Sequence, residues 1–353
     1  MNALGDLAKL KTRFAQLPKI ELHRHFEGAL RLSSLAEIAR TYQLDVPAHD
    51  VEGLRPHVQV MPDSPRTVSH FLSKFSVIRK FYRNAEIIQR LARETVEDAA
   101  ADNVRYLELR FTPKALAAAS NLSFAEVIER MCDGVDEAQR THNITVRLII
   151  SLNRHEDAAE GAQAVYAALA RKARGIVAMD LGGQEEGFSA EPFRGLFAEA
   201  RQEGMNIIAH AGEWAGAENV RFAIEQLGAT RIGHGVRSLE DLSLVALARQ
   251  HSITFEVCPT SNIHSGVFPS LAAHPLRKMR DLGLRVTLNT DDPLLCNITL
   301  TDELCTAFGV LGCSLSDLRQ MTIHAAESVF LPLPERNVLA AEIIAAYDNW
   351  EWI

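Results

Sequence analysis

Residues 205–234 read MNIIAHAGEWAGAENVRFAIEQLGATRIGH. Two short apolar runs, MNIIAH (205–210) and TRIGH (230–234), flank GAENVRFAIEQLG (216–228), whose apolar residues recur at helical spacing. The pattern is strand, helix, strand, and each strand ends on a histidine, His210 and His234. The same alternation continues in both directions. Toward the N-terminus lie KIELH (19–23), VRYLELRF (104–111), TVRLIIS (145–151) and GIVAMDL (175–181), and toward the C-terminus SITFEVC (252–258) and RVTLNT (285–290). Most of these runs are apolar nearly throughout rather than alternating, as parallel strands buried on both faces require. Between them, SFAEVIERMCDGVDEAQR (123–140), GAQAVYAALARKA (161–173), PFRGLFAEARQEG (192–204) and LEDLSLVALARQ (239–250) carry helical periodicity, several with acidic starts and glycine ends.

Eight strands alternating with helices predict an α/β fold, a (β/α)8 TIM barrel, over an open doubly wound sheet. The first connection is abnormally long: residues 30–103 hold several helical segments, including FLSKFSVIRKFY and AEIIQRLARETVEDAAA. An insertion after the first strand sits at the C-terminal mouth, where it can cap a site. With no repeat, low-complexity tract or linker in the chain, residues 1–353 read as a single barrel domain.

Composition narrows the function classes. The net charge of −8 offers no basic stripe for nucleic acid or an anionic membrane. No apolar run is long enough to span a bilayer, and MNALGDLAKLKTRFAQLPKI at the N-terminus reads as an amphipathic helix rather than a signal peptide. Five scattered cysteines (132, 258, 296, 305 and 313) make neither a disulfide framework nor a cysteine metal site, which fits a reduced cytoplasmic compartment.

In such a barrel the site is built from the C-terminal ends of the strands. The first strand ends in His23-Arg24-His25, the fifth in His210 followed by Ala-Gly-Glu213, the sixth in His234, and the eighth in Asp291-Asp292. Four histidines and three acids therefore meet at one rim. His23 and His25 share a strand face about 6–7 Å apart, so both imidazoles can reach one ion. They could instead be two separately satisfied histidines, but His210 and Asp291 on other strands favour a metal. Three imidazoles and a carboxylate suit zinc with an open position for water, and iron or manganese are not excluded by ligand type. A bridging lysine at the end of the fourth strand, frequent in binuclear barrels, is absent from IVAMDLGG, so one metal per chain is expected.

Around that metal, His234 is the candidate to orient and deprotonate the water, or else a core histidine bonded to a backbone carbonyl. Glu213 can lean over the metal without ligating it, past Gly212. Its alternative role is an acid at the start of the next helix. Asp292 could hydrogen-bond substrate or support its neighbour. Gly182-Gly183 could let a ligand approach the backbone. The remaining histidines, His155 and His274 among them, read as surface or packing residues.

Taken together, PKIELHRHFEGALR (18–31), MDLGGQE (179–185), HAGE (210–213), RIGHG (231–235), CPTSN (258–262) and LNTDDP (288–293) resemble the adenosine deaminase family of metal-dependent barrel hydrolases. The matching stretches run from the first strand to the last. The resemblance implies that His23, His25, His210 and Asp291 bind Zn2+, that Glu213 donates a proton to N1 of an aminopurine, and that His234 acts on the zinc-bound water. Asp292 would hydrogen-bond N7, and the backbone N–H of Gly183 would meet N3. Two positions depart from the pattern of adenosine deaminases. Glu27 stands where Asp is usual against the ribose 5′-hydroxyl, as in adenine and aminodeoxyfutalosine deaminases. Gln184 stands where Asp often follows the glycine. The adenine branch tends to RIDHG, whereas this chain has RIGHG. The resemblance therefore implies adenosine and 2′-deoxyadenosine as substrates, in purine salvage. The alternatives are adenine, an N6-substituted adenine or aminodeoxyfutalosine, or a non-catalytic nucleoside-binding barrel.

Overall fold

The computed structural model describes residues 3–350. The N-terminal amphipathic stretch forms a helix over Ala3–Gln16, and Met1 and Asn2 lie outside the described residues. Eight strands follow: β1 (Lys19–His25), β2 (Val104–Phe111), β3 (Thr145–Asn153), β4 (Ile176–Gly182), β5 (Asn206–Ala211), β6 (Arg231–His234), β7 (Thr254–Val257) and β8 (Arg285–Leu288). They pair in sequence order, each neighbour parallel to the next. The β8–β1 seam is closed by a bridge between Arg24 and Asp291 and by the Asn289 side chain, whose Oδ1 accepts the Leu22 N–H at 2.9 Å. The fold is a (β/α)8 barrel, as the alternation of apolar runs and helical stretches predicts.

Local chemistry explains the elements. The helix Phe124–Thr141 starts on a capping box in which Ser123 and Glu126 exchange side-chain-to-backbone hydrogen bonds. The stretch expected as one helix over 216–228 is a helical turn and a half (Ala217–Phe222) that widens into a π segment (Ala223–Leu227), ending at Gly228 in the left-handed region. The insertion between β1 and β2 carries helices Leu32–Tyr42, Val51–Val58, Val68–Ile78 and Ala85–Ala101. The third of these brings Phe71 and Phe75 to the cavity at the C-terminal ends of the strands, with Arg79 just beyond it. All five cysteines are free. Among the described residues, no helix is long and apolar enough to cross a membrane.

The barrel interior departs from the usual apolar layers. Glu108, Arg110, Asp180, Arg231 and Glu256 are all buried there. Arg231 Nε donates to Glu256 Oε1 at 2.6 Å, and its Nη2 pairs with Glu108. Arg110 Nη2 donates to Glu256 Oε2, also at 2.6 Å. Burial alone would raise the Glu256 carboxyl, but Arg231 and Arg110 hold it well below the usual carboxylate range. This ionic floor lies directly under the histidines.

Candidate active site

His23 and His25 project from the end of β1, His210 from β5 and His234 from the last residue of β6. Asp291 lies three residues past β8. Both His234 (φ 60°) and Asp291 (φ 65°) occupy the left-handed region, which L-residues adopt only where surrounding contacts hold them. For Asp291 the holders are β1 itself: its N–H donates to His23 O at 3.0 Å, and its carbonyl accepts the His25 N–H at 2.8 Å. The strain thus turns the carboxylate onto the two histidines.

Two of the imidazoles are fixed from behind. His23 Nδ1 donates to Glu256 Oε2 at 2.9 Å, and His210 Nδ1 donates to Asp180 Oδ1 at 3.0 Å. Their Nε2 atoms are therefore lone pairs turned inward, an arrangement typical of ligating histidines. His23 Nε2 lies 3.1 Å from Asp291 Oδ1 yet is buried without a hydrogen-bond partner. His25 Nε2 lies 3.2 Å from His210 Nε2 and 3.3 Å from the same Asp291 oxygen. Acceptors crowded at such separations repel unless a cation or proton sits among them. His23, His210, His234 and Asp291 offer donor atoms all within 4.8 Å of one another, and His25 joins them through the contacts just given. The donor set fits a metal ion.

Of the nine residues singled out in the sequence, eight line one cavity of about 270 Å³, and His23 lies just behind it. Glu213 Oε2 stands 3.6 Å from His234 Nε2. Burial, then Asp291, Glu185 and Asp292, push the Glu213 carboxyl well above its ordinary pKa. Burial and the Asp291 and Glu27 charges do the same for Asp292. Glu27 Oε1 accepts the Thr112 N–H at 2.7 Å, while its buried Oε2 has no partner. Gly183 has φ +80°, and a Cβ there would lie 2.7 Å from His155 Nδ1, so only glycine fits.

Several supporting residues escaped the reading of the sequence. Glu185 accepts the N–H groups of Gly212, Glu213, Trp214 and Ala215 at 2.7–3.1 Å, and the Asn219 amide as well. That single carboxylate shapes the turn that presents Glu213. Ser261 donates to Asp291 Oδ2 at 2.6 Å. Arg154 donates to the backbone carbonyl of His210. Asn262 bridges Glu213 and His234, and His274, expected to be a packing residue, is buried against Asn262.

The barrel, with imidazoles turned inward onto Asp291 and Glu213 beside them, has the layout of a metal-site hydrolase. The family model described as "Adenosine deaminase" matches residues 18–346. An adenosine deaminase of Shigella dysenteriae is 39% identical over 329 residues, covering 93% of this chain and 98% of its own. Among solved structures, a zinc-bound amidohydrolase from Burkholderia ambifaria superposes with a TM-score of 0.88 at 26% identity, covering 96% of this chain and 92% of that one. An adenine deaminase of Arthrobacter aurescens superposes with a TM-score of 0.86 at 26% identity, covering 93% and 98%. The chain belongs to the adenosine deaminase family and is a hydrolytic deaminase.

Proposed function

We propose that this protein is a zinc-dependent aminohydrolase converting adenosine and 2′-deoxyadenosine to the corresponding inosines and ammonia. The observation that carries the reading is Glu213, its Oε2 3.6 Å from His234 Nε2, set beside converging imidazole and carboxylate donor atoms at one cavity. His23, His25, His210 and Asp291 would hold the ion. When bound, zinc lowers the pKa of a coordinated water to about 7 and so supplies a nucleophile at neutral pH. Glu213 gives its proton to ring N1, which draws electrons from C6. The water oxygen bonds to C6, one of its protons passes to the amine, which leaves as ammonia as the C6–N bond breaks, and its other proton returns to the Glu213 carboxylate, leaving a 6-oxo purine that keeps its hydrogen on N1. His234 engages the attacking water. Asp292, protonated, donates to N7, and the Gly183 N–H meets N3. Residues 30–103 serve as the cap of this single barrel domain.

Glu27 is the residue of the adenine and aminodeoxyfutalosine deaminases at this position, yet its geometry leaves room for a nucleoside. Its unpartnered Oε2 can accept a ribose hydroxyl, and a base without ribose would leave that buried oxygen unpaired, a penalty on which polar pockets discriminate. Gly233 agrees. A Cβ there would lie 3.0 Å from His23 Cε1 and 3.2 Å from His210 Cγ, so the aspartate of the adenine branch would require the imidazoles to move. The test is a steady-state comparison of adenosine, 2′-deoxyadenosine, adenine and aminodeoxyfutalosine on metal-analysed protein. Adenosine is expected to exceed adenine in kcat/KM by ~10²-fold or more. Faster turnover of adenine than of its nucleoside would overturn the assignment. Glu27→Asp should shift relative kcat/KM among nucleosides by about tenfold while hydrolysis persists. Unchanged ratios would mean that Glu27 does not read the sugar.

A further inference from the structure

Four groups form a hydrogen-bonded chain that ends on His234, and its direction is set from one end. The Leu276 backbone N–H, which can only donate, meets His274 Nδ1 at 3.2 Å. His274 must then carry its hydrogen on Nε2, and that atom lies 3.2 Å from Asn262 Oδ1. This orients the Asn262 amide: its nitrogen faces His234 Nδ1 at 3.1 Å and Glu213 Oε1 at 3.3 Å. Two amide hydrogens serve those two acceptors. His234 Nδ1 is therefore a lone pair, and the neutral ring carries its hydrogen on Nε2, the atom facing Asp291 Oδ2 at 3.9 Å and the cavity.

We propose that His274 and Asn262 are positioning residues that lock the Nε2–H tautomer of His234. The locked ring is a donor to the attacking water and is barred from joining His23, His25 and His210 as a ligand. The proposal rests on the deaminase reading above and refines it: the resting His234 orients the water by donating to it, rather than waiting with a bare nitrogen to take its proton. The geometry also answers why His234, as close to the donor cluster as His25, should differ from it in role. A ligating nitrogen needs a free lone pair, and the chain from Leu276 removes it. The same amide occupies Glu213 Oε1, leaving Oε2 as the oxygen that carries the acid's proton into the cavity.

The chain is built to hold its order. Asn262 is fully buried and His274 is 7% exposed. The His274 ring stands edge-on to Phe268, centroids 5.3 Å apart. Burial brings the His274 pKa down to about 3, so the ring stays neutral wherever the protein is folded and working. Protonation does not rewrite the sequence of donors.

The test uses zinc-loaded protein labelled with 15N-histidine. In the wild type, His234 is expected to show a directly bonded hydrogen on Nε2 and none on Nδ1. A hydrogen on Nδ1 would overturn the proposal whatever the substrate proves to be, so this readout stands apart from the choice of aminopurine. His274→Leu removes the donor to Asn262 and lets the amide turn. It should lower kcat about tenfold, with KM and zinc content near wild type and both His234 tautomers visible. His274→Gln, which keeps an N–H for Asn262 Oδ1, should recover most of that loss. Wild-type kcat in His274→Leu, or equal losses in both variants, would also overturn it.

Discussion

Glu213→Gln is expected to keep its metal and lose ~10²–10⁴-fold in kcat, the range set by a positioned proton donor. Glutamine has nearly the same shape, and its carbonyl oxygen can still accept from Asn262 as Glu213 Oε1 does. The Glu185 clamp on the backbone of residues 212–215 does not depend on the side chain at 213. What disappears is the acid. Burial and the neighbouring carboxylates of Asp291 and Glu185 disfavour its charged form and so favour the acid. An amide can offer a hydrogen bond to a ring nitrogen but cannot transfer a proton to it, so the ground state should bind while the barrier rises. KM near wild type with kcat reduced is the expected split. Elemental analysis should find the metal content unchanged. A variant within a few-fold of wild-type kcat would show that Glu213 is not the acid.

The barrel is readable because strands buried on both faces are apolar nearly throughout. The run 19–23 continues into His23-Arg24-His25, and β1 ends at His25 as that reading expects. The strand-end histidines were readable for the complementary reason that polar groups have no place in such a strand unless they face a site. Other features left no local trace. No glycine marks the left-handed backbone at His234 and Asp291, since contacts from other strands impose it. Glu185 gains its donors only once the turn after β5 folds back over it, and His274 meets Asn262 only through a tertiary turn. One signal was present and can be used. Glu108, Arg110, Asp180 and Glu256 each interrupt an apolar run, and a charge in a strand buried on both faces must find a partner. Opposite charges on several strands of one barrel therefore imply an interior ion network. Here that network doubles as the support of His23 and His210.

The largest effect on folding is expected at that network. Glu256→Ala should destabilise the protein by ~3–5 kcal/mol, the usual consequence of removing one partner of a buried ion pair. Glu256 is held by two arginines, with Arg231 Nε and Arg110 Nη2 each at 2.6 Å. Arg231 keeps Glu108 as a second partner. Arg110 fares worse: its Nε and Nη1 have no hydrogen-bond partner, and Asp180 approaches Nη1 only to 3.4 Å, so losing Glu256 leaves a buried guanidinium poorly compensated. The same substitution takes away the acceptor for His23 Nδ1, which lies 2.9 Å from Glu256 Oε2. That imidazole is then free to turn or change tautomer, and loss of such an outer partner weakens metal affinity by ~10–100-fold. Urea unfolding followed with and without excess zinc separates the two effects: the ion-network loss persists in both, whereas the metal-linked part shrinks as zinc is added. Glu256→Gln, which retains an oxygen acceptor, should recover part of the metal affinity while restoring little of the stability, because the arginines still lack their charge. An alanine variant that unfolds at the wild-type urea midpoint would show that the interior ion pairs do not hold the barrel together.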